Sequence, residues 1–160
     1  MKKKLVLLLA GMMLLLSACG GNNGGAETAD VDLQEYWESL QETYEWDDHY
    51  MVSIEDEMLE GYYPGLKDIA AKQFLAKAPM MSAVVNEIVL MQCETEEAAE
   101  QAAAILQDRI TTQAEGGAWY PESMEAWGRG TVIQQGTYVA MIASAEHQDE
   151  IVESFNALFQ

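Results

Sequence analysis

Residues 86–94 have the sequence Asn86-Glu87-Ile88-Val89-Leu90-Met91-Gln92-Cys93-Glu94, a largely apolar run. A run of this length and composition is typical of a strand buried inside a sheet. The following Thr95 is a suitable helix N-cap, and the next two residues are acidic, which suits the positive end of a helix dipole. The pattern predicts a buried strand that leads into a helix extending to about Thr112.

The residues before this run predict its hairpin partner. Phe74, Ala76 and Ala78 occupy alternate positions up to Pro79, and alternation with period two indicates a strand. Proline cannot donate to a sheet ladder, so Pro79 indicates a strand end or an edge. Residues 80–85 can then turn the chain, which makes a β-hairpin followed by a helix.

A second unit of this kind follows fifty residues later. Residues 131–133 lead through Gln135-Gly136 into the apolar run 137–143, and a helix is predicted from about Glu146. The two units match in pattern rather than in identity. The corresponding positions are Ile88 and Tyr138, Met91 and Met141, Ala102 and Val152, and Ile105 and Phe155.

Two such units predict an α+β domain of two layers. Both helices can bury their apolar stripes on one face of a four-stranded antiparallel sheet. An N-terminal helix is predicted after Asp30 or Asp32 and would cover a remaining edge or end of the sheet. A short second helix is predicted with Ser53 as its cap and Gly61 at its end. Residues 116–130 are predicted to be the one long irregular stretch.

The N-terminus has the pattern of an export signal. Three lysines at positions 2–4 precede the apolar residues 5–16, a stretch shorter than the roughly 20 residues that span a bilayer as a helix. Leu16-Ser17-Ala18-Cys19, followed by two glycines, resembles the bacterial lipobox, in which the cysteine is acylated and becomes the first residue. The alternatives are an ordinary secretory peptide or a short anchor helix. We predict a signal peptide over residues 1–18 and lipid attachment, palmitate included, at Cys19.

The rest of the chain divides into a tether and one folded part. Residues 19–29 contain no large apolar side chain, and Gly/Asn tracts behave as flexible coil, so we predict a tether there. Residues 30–160 are long enough for one hydrophobic core and not comfortably for two, which predicts a single domain.

Charge and cysteine content exclude several classes of protein. The formal net charge is −19, and removal of the signal would leave five basic residues against 27 acidic ones. Such a field repels nucleic acid and anionic lipid headgroups, so we predict no nucleic-acid partner. Asp47-Asp48-His49 offers adjacent side chains that rarely converge on one ion, and no calcium-loop spacing occurs, so neither a metal nor another cofactor is predicted. Acylation of Cys19 would leave Cys93 alone, without a disulfide partner.

The candidate ligand-binding residues lie in residues 116–130. Trp119, Tyr120 and Trp127 could stack on a sugar, a peptide or a partner surface, or they could plug one end of the core. We expect Tyr120 and one tryptophan to be structural and the other tryptophan to be exposed. The chain contains no nucleophile elbow, zinc-protease, phosphate-loop or Cys-x-x-Cys motif, so binding is favoured over catalysis. The alternative is a carboxylate-dependent hydrolase at the cell envelope.

A resemblance to a known family is carried by the lipobox with its Gly/Asn tether, Pro79 to Ile88, Leu106 to Ile110, and Tyr120-Pro121-Glu122. With these segments the chain resembles a Gram-positive lipoprotein family, domain of unknown function 4358, over about residues 30–158. The resemblance implies an exported, lipid-anchored domain on the outer face of the cytoplasmic membrane, with no established activity. It further implies that Glu87, Arg109 and Tyr120 occupy recognisable family positions. Ligands consistent with this location are a wall fragment, a peptide or another envelope protein.

The lipobox interpretation predicts that Cys19→Ser prevents lipid modification, because a serine hydroxyl is not the acyl acceptor of this signal. Labelled palmitate fed to cells should enter the wild-type protein and not the variant. Equal incorporation into both proteins would contradict the prediction, and Cys93→Ser, which leaves the lipobox intact, is the matched control.

Overall fold

The structure, a computed structural model, describes residues 30–81 and 83–160. The predicted signal peptide, Cys19 and the tether lie outside the described residues. No helix in the described ranges is long and apolar enough to cross a membrane. The elements, in chain order, are α1 (Leu33–Tyr44), β1 (Met51–Ser53), α2 (Asp56–Tyr62), a 3-10 turn (Leu66–Asp68), β2 (Ala71–Pro79), β3 (Asn86–Cys93), α3 (Glu96–Thr112), a π-helical turn (Gln113–Gly117), α4 (Pro121–Gly128), β4 (Thr131–Gln135), β5 (Tyr138–Ser144) and α5 (Gln148–Ala157).

Two helices begin at predicted caps. The Asp32 side chain accepts hydrogen bonds from the backbone N–H groups of Gln34 and Glu35, at 2.8 and 3.1 Å, and so caps α1. The Thr95 hydroxyl accepts one from Ala98 N at 3.1 Å and caps α3. Each side chain satisfies a backbone donor that the first helical turn leaves without a partner.

The chain forms a mixed α+β structure with one antiparallel sheet of five strands, in the order β1-β2-β3-β5-β4. The prediction of four strands is therefore wrong by one. β1 adds to the outer side of β2, with Val52 opposite Ala78. A strand of three residues is too short to show an alternating pattern. Ser53 belongs to β1 and does not cap α2, whose preceding residue is Glu55.

Helices cover both faces of the sheet, so the predicted arrangement of two layers with helices on one face is also wrong. Every residue of β3 and β5 is buried, which requires a cover on each side. Val89, Met91, Val139 and Met141 pack with α3 and α4 on one face. The opposite face carries α5 and α1, and α1 thus covers a face rather than an edge; the strand residues there are Ile88, Leu90, Ala140 and Ile142.

The two hairpin-helix units diverge at the strand ends. Their strands correspond as predicted, and β3 pairs with β5 in the centre of the sheet, with Ile88 opposite Ile142. However, β3 ends at Cys93, whose side chain packs on the face that α3 covers. With the offset of fifty residues Cys93 corresponds to Ala143, and β5 continues one residue further, to Ser144. A shift of one residue reverses the side to which the last side chain points. The helix that follows β3 and the helix that follows β5 pack on opposite faces of the sheet.

The buried hydroxyl of Tyr36 on α1 should make the folded protein less stable at alkaline pH. Its hydroxyl lies 2.7 Å from Ser154 Oγ and donates to Ile151 O at 3.2 Å. Burial raises the pKa of Tyr36 to about 12. The folded-state pKa therefore lies above the unfolded value of about 10, so the protonated phenol stabilises the folded state. This contribution to the free energy of unfolding is complete below about pH 10. It is lost by about 1.4 kcal/mol per pH unit as the pH rises from about 10 toward about 12.

Urea unfolding between pH 8 and pH 12 should therefore show a shallower alkaline decline for Tyr36→Phe than for the wild type. Ser154→Ala is the control, because it removes a hydroxyl partner but keeps the phenol, and its decline should be at least as steep as that of the wild type. Parallel curves for Tyr36→Phe and the wild type would contradict the assignment.

Candidate functional site

A cleft of about 950 Å³ opens where β1 and the adjoining ends of β2 and β3 meet α2, α4 and the end of α3. It lies over the part of the α3 face that α3 and α4 leave uncovered. Its lining includes Val52, Ser53, Glu55, Met58, Tyr62, Met80, Val84, Glu87, Arg109, Trp119, Tyr120 and Trp127. The five residues predicted for ligand binding all belong to this one cleft.

The floor of the cleft is a bidentate ion pair between Glu87 and Arg109. Arg109 Nε donates to Glu87 Oε1 and Arg109 Nη2 donates to Oε2, both at 2.9 Å. The side chains are only 7% and 12% exposed. Glu87 lies near the start of β3 and Arg109 in the last turn of α3, where a cation is favoured by the helix dipole. The parallel fork fixes both groups in position.

Tyr63, at the end of α2, is the third member of this cluster. Its hydroxyl donates to Glu87 Oε1, and the side chain is fully buried. Burial and then the negative charge of Glu87 hold the pKa of Tyr63 well above its usual value. Burial lowers the pKa of Arg109, but its hydrogen bonds to Glu87 and the charge of that carboxylate outweigh the effect and raise it. Tyr63 thus stays a donor and Arg109 a cation across the physiological range.

Aromatic rings surround the guanidinium group. The Arg109 Cζ atom lies 4.0 Å from the centroid of the Tyr62 ring, 5.2 Å from that of Trp127 and 5.8 Å from that of Tyr63. Cation–π attraction is strongest where the cation is desolvated, as it is here. The chain's own arginine therefore fills the aromatic box at the base of the cleft.

The rim of the cleft is apolar and exposed. Trp119 is 93% exposed and Tyr120 is 53% exposed. Of the seven exposed large hydrophobic residues in residues 30–81 and 83–160, five line this cleft. Single exposed apolar residues are common on proteins, but their concentration around one opening is typical of a binding site. The other three rim residues are Met58, Met80 and Val84.

The tryptophans divide as predicted, and Tyr120 does not follow its prediction. Trp127 is only 5% exposed and packs in the core, while Trp119 projects into solvent. The prediction that Tyr120 is structural is wrong, because more than half of its surface is exposed. Residues 116–130 are also not irregular throughout, because α4 begins at Pro121. Proline at the first helical position is a start signal, and Tyr120 precedes it in extended conformation.

Tyr62 and Tyr63 were missed as site residues from the sequence. They stand directly before Pro64-Gly65, a pair that is typical of a turn rather than of a binding site. No sequence pattern connects Tyr63 with Glu87 or Arg109, since the three come from separate elements. Their proximity follows from the packing of α2 and α3 on the same face.

The side chains that the sequence offers as possible metal ligands, Asp47, Asp48 and His49, lie apart from the cleft. No group of three or more His, Cys, Asp or Glu side chains that could hold a metal occurs in the described part of the chain. Asp47 Oδ1 accepts from the backbone N–H groups of His49 and Tyr50, so it stabilises a turn. Burial raises the pKa of Cys93, whose thiol lies in the core.

Comparison with known proteins identifies the family. Residues 44–144 match Domain of unknown function (DUF4358), which covers more than half of the 160 residues. The chain belongs to this family. The matched segment contains Glu87, Arg109 and residues 116–130, but not residues 1–29. No curated protein and no solved structure matches the chain.

The buried ion pair predicts that Arg109→Met destabilises the protein by about 3–5 kcal/mol, because it leaves Glu87 as a buried charge without its partner. Adding Glu87→Gln should recover part of the loss. Urea unfolding measures both effects.

The matched control is Arg129→Met, since the exposed Arg129 side chain makes one hydrogen bond within the described residues, a 3.4 Å contact with Ala145 O. That change should shift stability by about 0.5 kcal/mol or less. Equal losses for the two arginine variants would mean that the ion pair contributes nothing specific.

Proposed function

We propose that this protein is a lipid-anchored extracytoplasmic binding module. Acylated Cys19 would hold it at the outer face of the cytoplasmic membrane of a Gram-positive bacterium, the tether would separate it from the lipid, and residues 30–160 would form the binding domain. The ligand would be a wall fragment, a peptide or a segment of another envelope protein. The observation that carries the proposal is the ring of exposed apolar residues around one cleft.

The cleft has the properties of a binding site. Its volume falls within the range of about 300–1,000 Å³ that is usual for ligand pockets. Trp119 and Tyr120 can stack on a ligand, while Met58 and Met80 can adjust their conformation to its shape. Burial of these side chains would contribute roughly 25 cal/mol per Å² of apolar surface removed from water.

The floor of the cleft favours binding over hydrolysis. Two carboxylates line it, Glu55 and Glu87. Glu87 already accepts hydrogen bonds from Arg109 and Tyr63 on its two oxygens. A general acid or base must exchange a proton with its substrate, and a glycosidase needs a second carboxylate across the scissile bond. The hydrogen bonds from Arg109 and Tyr63 engage Glu87 in the structure of the cleft floor instead.

The N-terminal sequence supports the location. A tether of about ten residues reaches roughly 16–19 Å by the square-root scaling of a flexible coil. Two acyl chains anchor a protein stably, whereas a single chain holds it only marginally. The excess of acidic residues would keep the domain off anionic lipid and leave the cleft accessible from the envelope side.

Photocrosslinking tests the proposal. Benzophenone-bearing amino acids placed at position 119 should form adducts with envelope material in intact cells, because Trp119 borders the ligand. Position 74 is the control, since Phe74 is also an exposed aromatic residue but lies outside the cleft. Mass spectrometry of the adducts reports the ligand class.

Equal labelling at the two positions, or labelling at neither, would contradict the proposal. Stability must be measured alongside: Trp119→Ala should change the free energy of unfolding by less than about 1 kcal/mol. Trp127→Ala should cost about 3–5 kcal/mol, because its ring is buried against Arg109.

A further inference from the structure

β1 leaves one edge of the sheet open beside the cleft. Its order in the sheet gives it a single neighbour, β2. Natural edge strands are often blunted by lysine, proline or a bulge, and Met51-Val52-Ser53 contains no charge and no proline. The strand is short, but its outer side can accept another strand.

The hydrogen-bonding pattern identifies the groups on that outer side. Met80 N donates to Tyr50 O at 3.1 Å and Ile54 N donates to Ala76 O at 2.9 Å, so alternate residues from Tyr50 to Ile54 face β2. The main-chain N–H and C=O groups of Met51 and Ser53 therefore point away from β2. Met51 N donates to Asp47 O, but Met51 C=O, Ser53 N–H and Ser53 C=O make no hydrogen bond within the described part of the chain.

The free edge borders the cleft through its backbone. Ser53 lines the cleft, yet its hydroxyl accepts from Lys77 Nζ at 2.9 Å. Lys77 lies over the Trp37 ring, on the opposite face of the sheet. The main chain of Ser53, rather than its side chain, therefore faces the cleft, while the adjacent Val52 side chain forms part of the cleft wall.

We propose that the ligand of this cleft is an extended peptide segment with alternating apolar and basic side chains, which pairs its main chain with β1. This inference rests on the proposed binding function and specifies its ligand. An acceptor, a donor and a second acceptor along one strand edge match the main chain of an added strand. Alternate side chains of that strand would point into the cleft and contact Val52, Met58 and Met80.

Charge complementarity selects the basic character. Glu55 and Glu87 are the acidic residues of the cleft lining, and Arg109 is its basic residue. Arg109 and Glu87 neutralise each other, so Glu55 leaves the lining negative. The chain as a whole has 27 acidic residues against eight basic ones, which favours a cationic partner.

The test uses a capped seven-residue peptide of alternating valine and lysine, titrated against the full chain in phosphatidylcholine nanodiscs. Two further peptides carry N-methyl groups on all valines or on all lysines. In an extended strand these two sets of N–H groups lie on opposite edges. N-methylation of the residues whose N–H groups face β1 should weaken binding at least about tenfold, and N-methylation of the other residues less than about threefold. All three peptides carry the same charge, so a difference between them reports strand pairing.

Two protein variants locate the pairing. Ser53→Pro removes the outward N–H without disturbing the bonds to β2, and proline is tolerated on an open strand edge. We expect at least about tenfold weaker binding of the unmethylated peptide. Ser53→Ala keeps the N–H and should bind within about threefold of the wild type. If Ser53→Pro does not fold, the methylated peptides still decide the question.

Other outcomes overturn the inference in distinguishable ways. If Trp119→Ala weakens binding but Ser53→Pro and both methylated peptides do not, the cleft binds ligands without strand pairing, and only this inference fails. Absence of peptide binding also overturns it, while crosslinking at position 119 reports on the proposed function independently. A dimer in sedimentation that Ser53→Pro dissociates would assign the edge to a second copy of the chain.

Discussion

The two central strands, β3 and β5, have no side that faces water, and the rest of the structure depends on this burial. Their side chains alternate between two hydrophobic clusters, so each cluster needs its own helices. α3 and α4 cover one face, and α1 and α5 cover the other. The part of the α3 face over β1 and β2 stays uncovered at the strand ends, and this gap is the cleft.

Glu87 is the charged residue within the buried β3, and it determines the geometry of the cleft floor. A carboxylate in this position is destabilising unless it is paired and hydrogen-bonded. Arg109 from α3 and Tyr63 from α2 meet it, and Tyr62 and Trp127 enclose the guanidinium group. One buried charge thus connects β3 with α2, α3 and α4. Of the rim residues, Met58 lies on α2 and Tyr120 directly precedes α4, two helices that this cluster connects, which favours a preformed site.

The cleft is bordered by two different kinds of surface. Its rim consists of exposed apolar side chains. Its β1 wall presents main-chain N–H and C=O groups that make no hydrogen bond within the described residues. A sugar could stack on the first surface but would not match the strand-like spacing of the second. An extended peptide can satisfy both at once, which is why the two observations together specify a ligand class more narrowly than either alone.

The sequence by itself determined the local elements of this protein, because caps and periodicity act between neighbours along the chain. Asp32, Thr95 and the apolar runs of β3 and β5 gave the helices and central strands, and their composition indicated burial. The sequence did not determine which face α5 covers, because an apolar helix stripe can pack on either face of a buried sheet, and β1 was too short to carry a pattern. Only the tertiary structure brought Tyr63, Glu87 and Arg109 together and left Trp119 exposed, since contacts between separate elements depend on packing that no local pattern encodes.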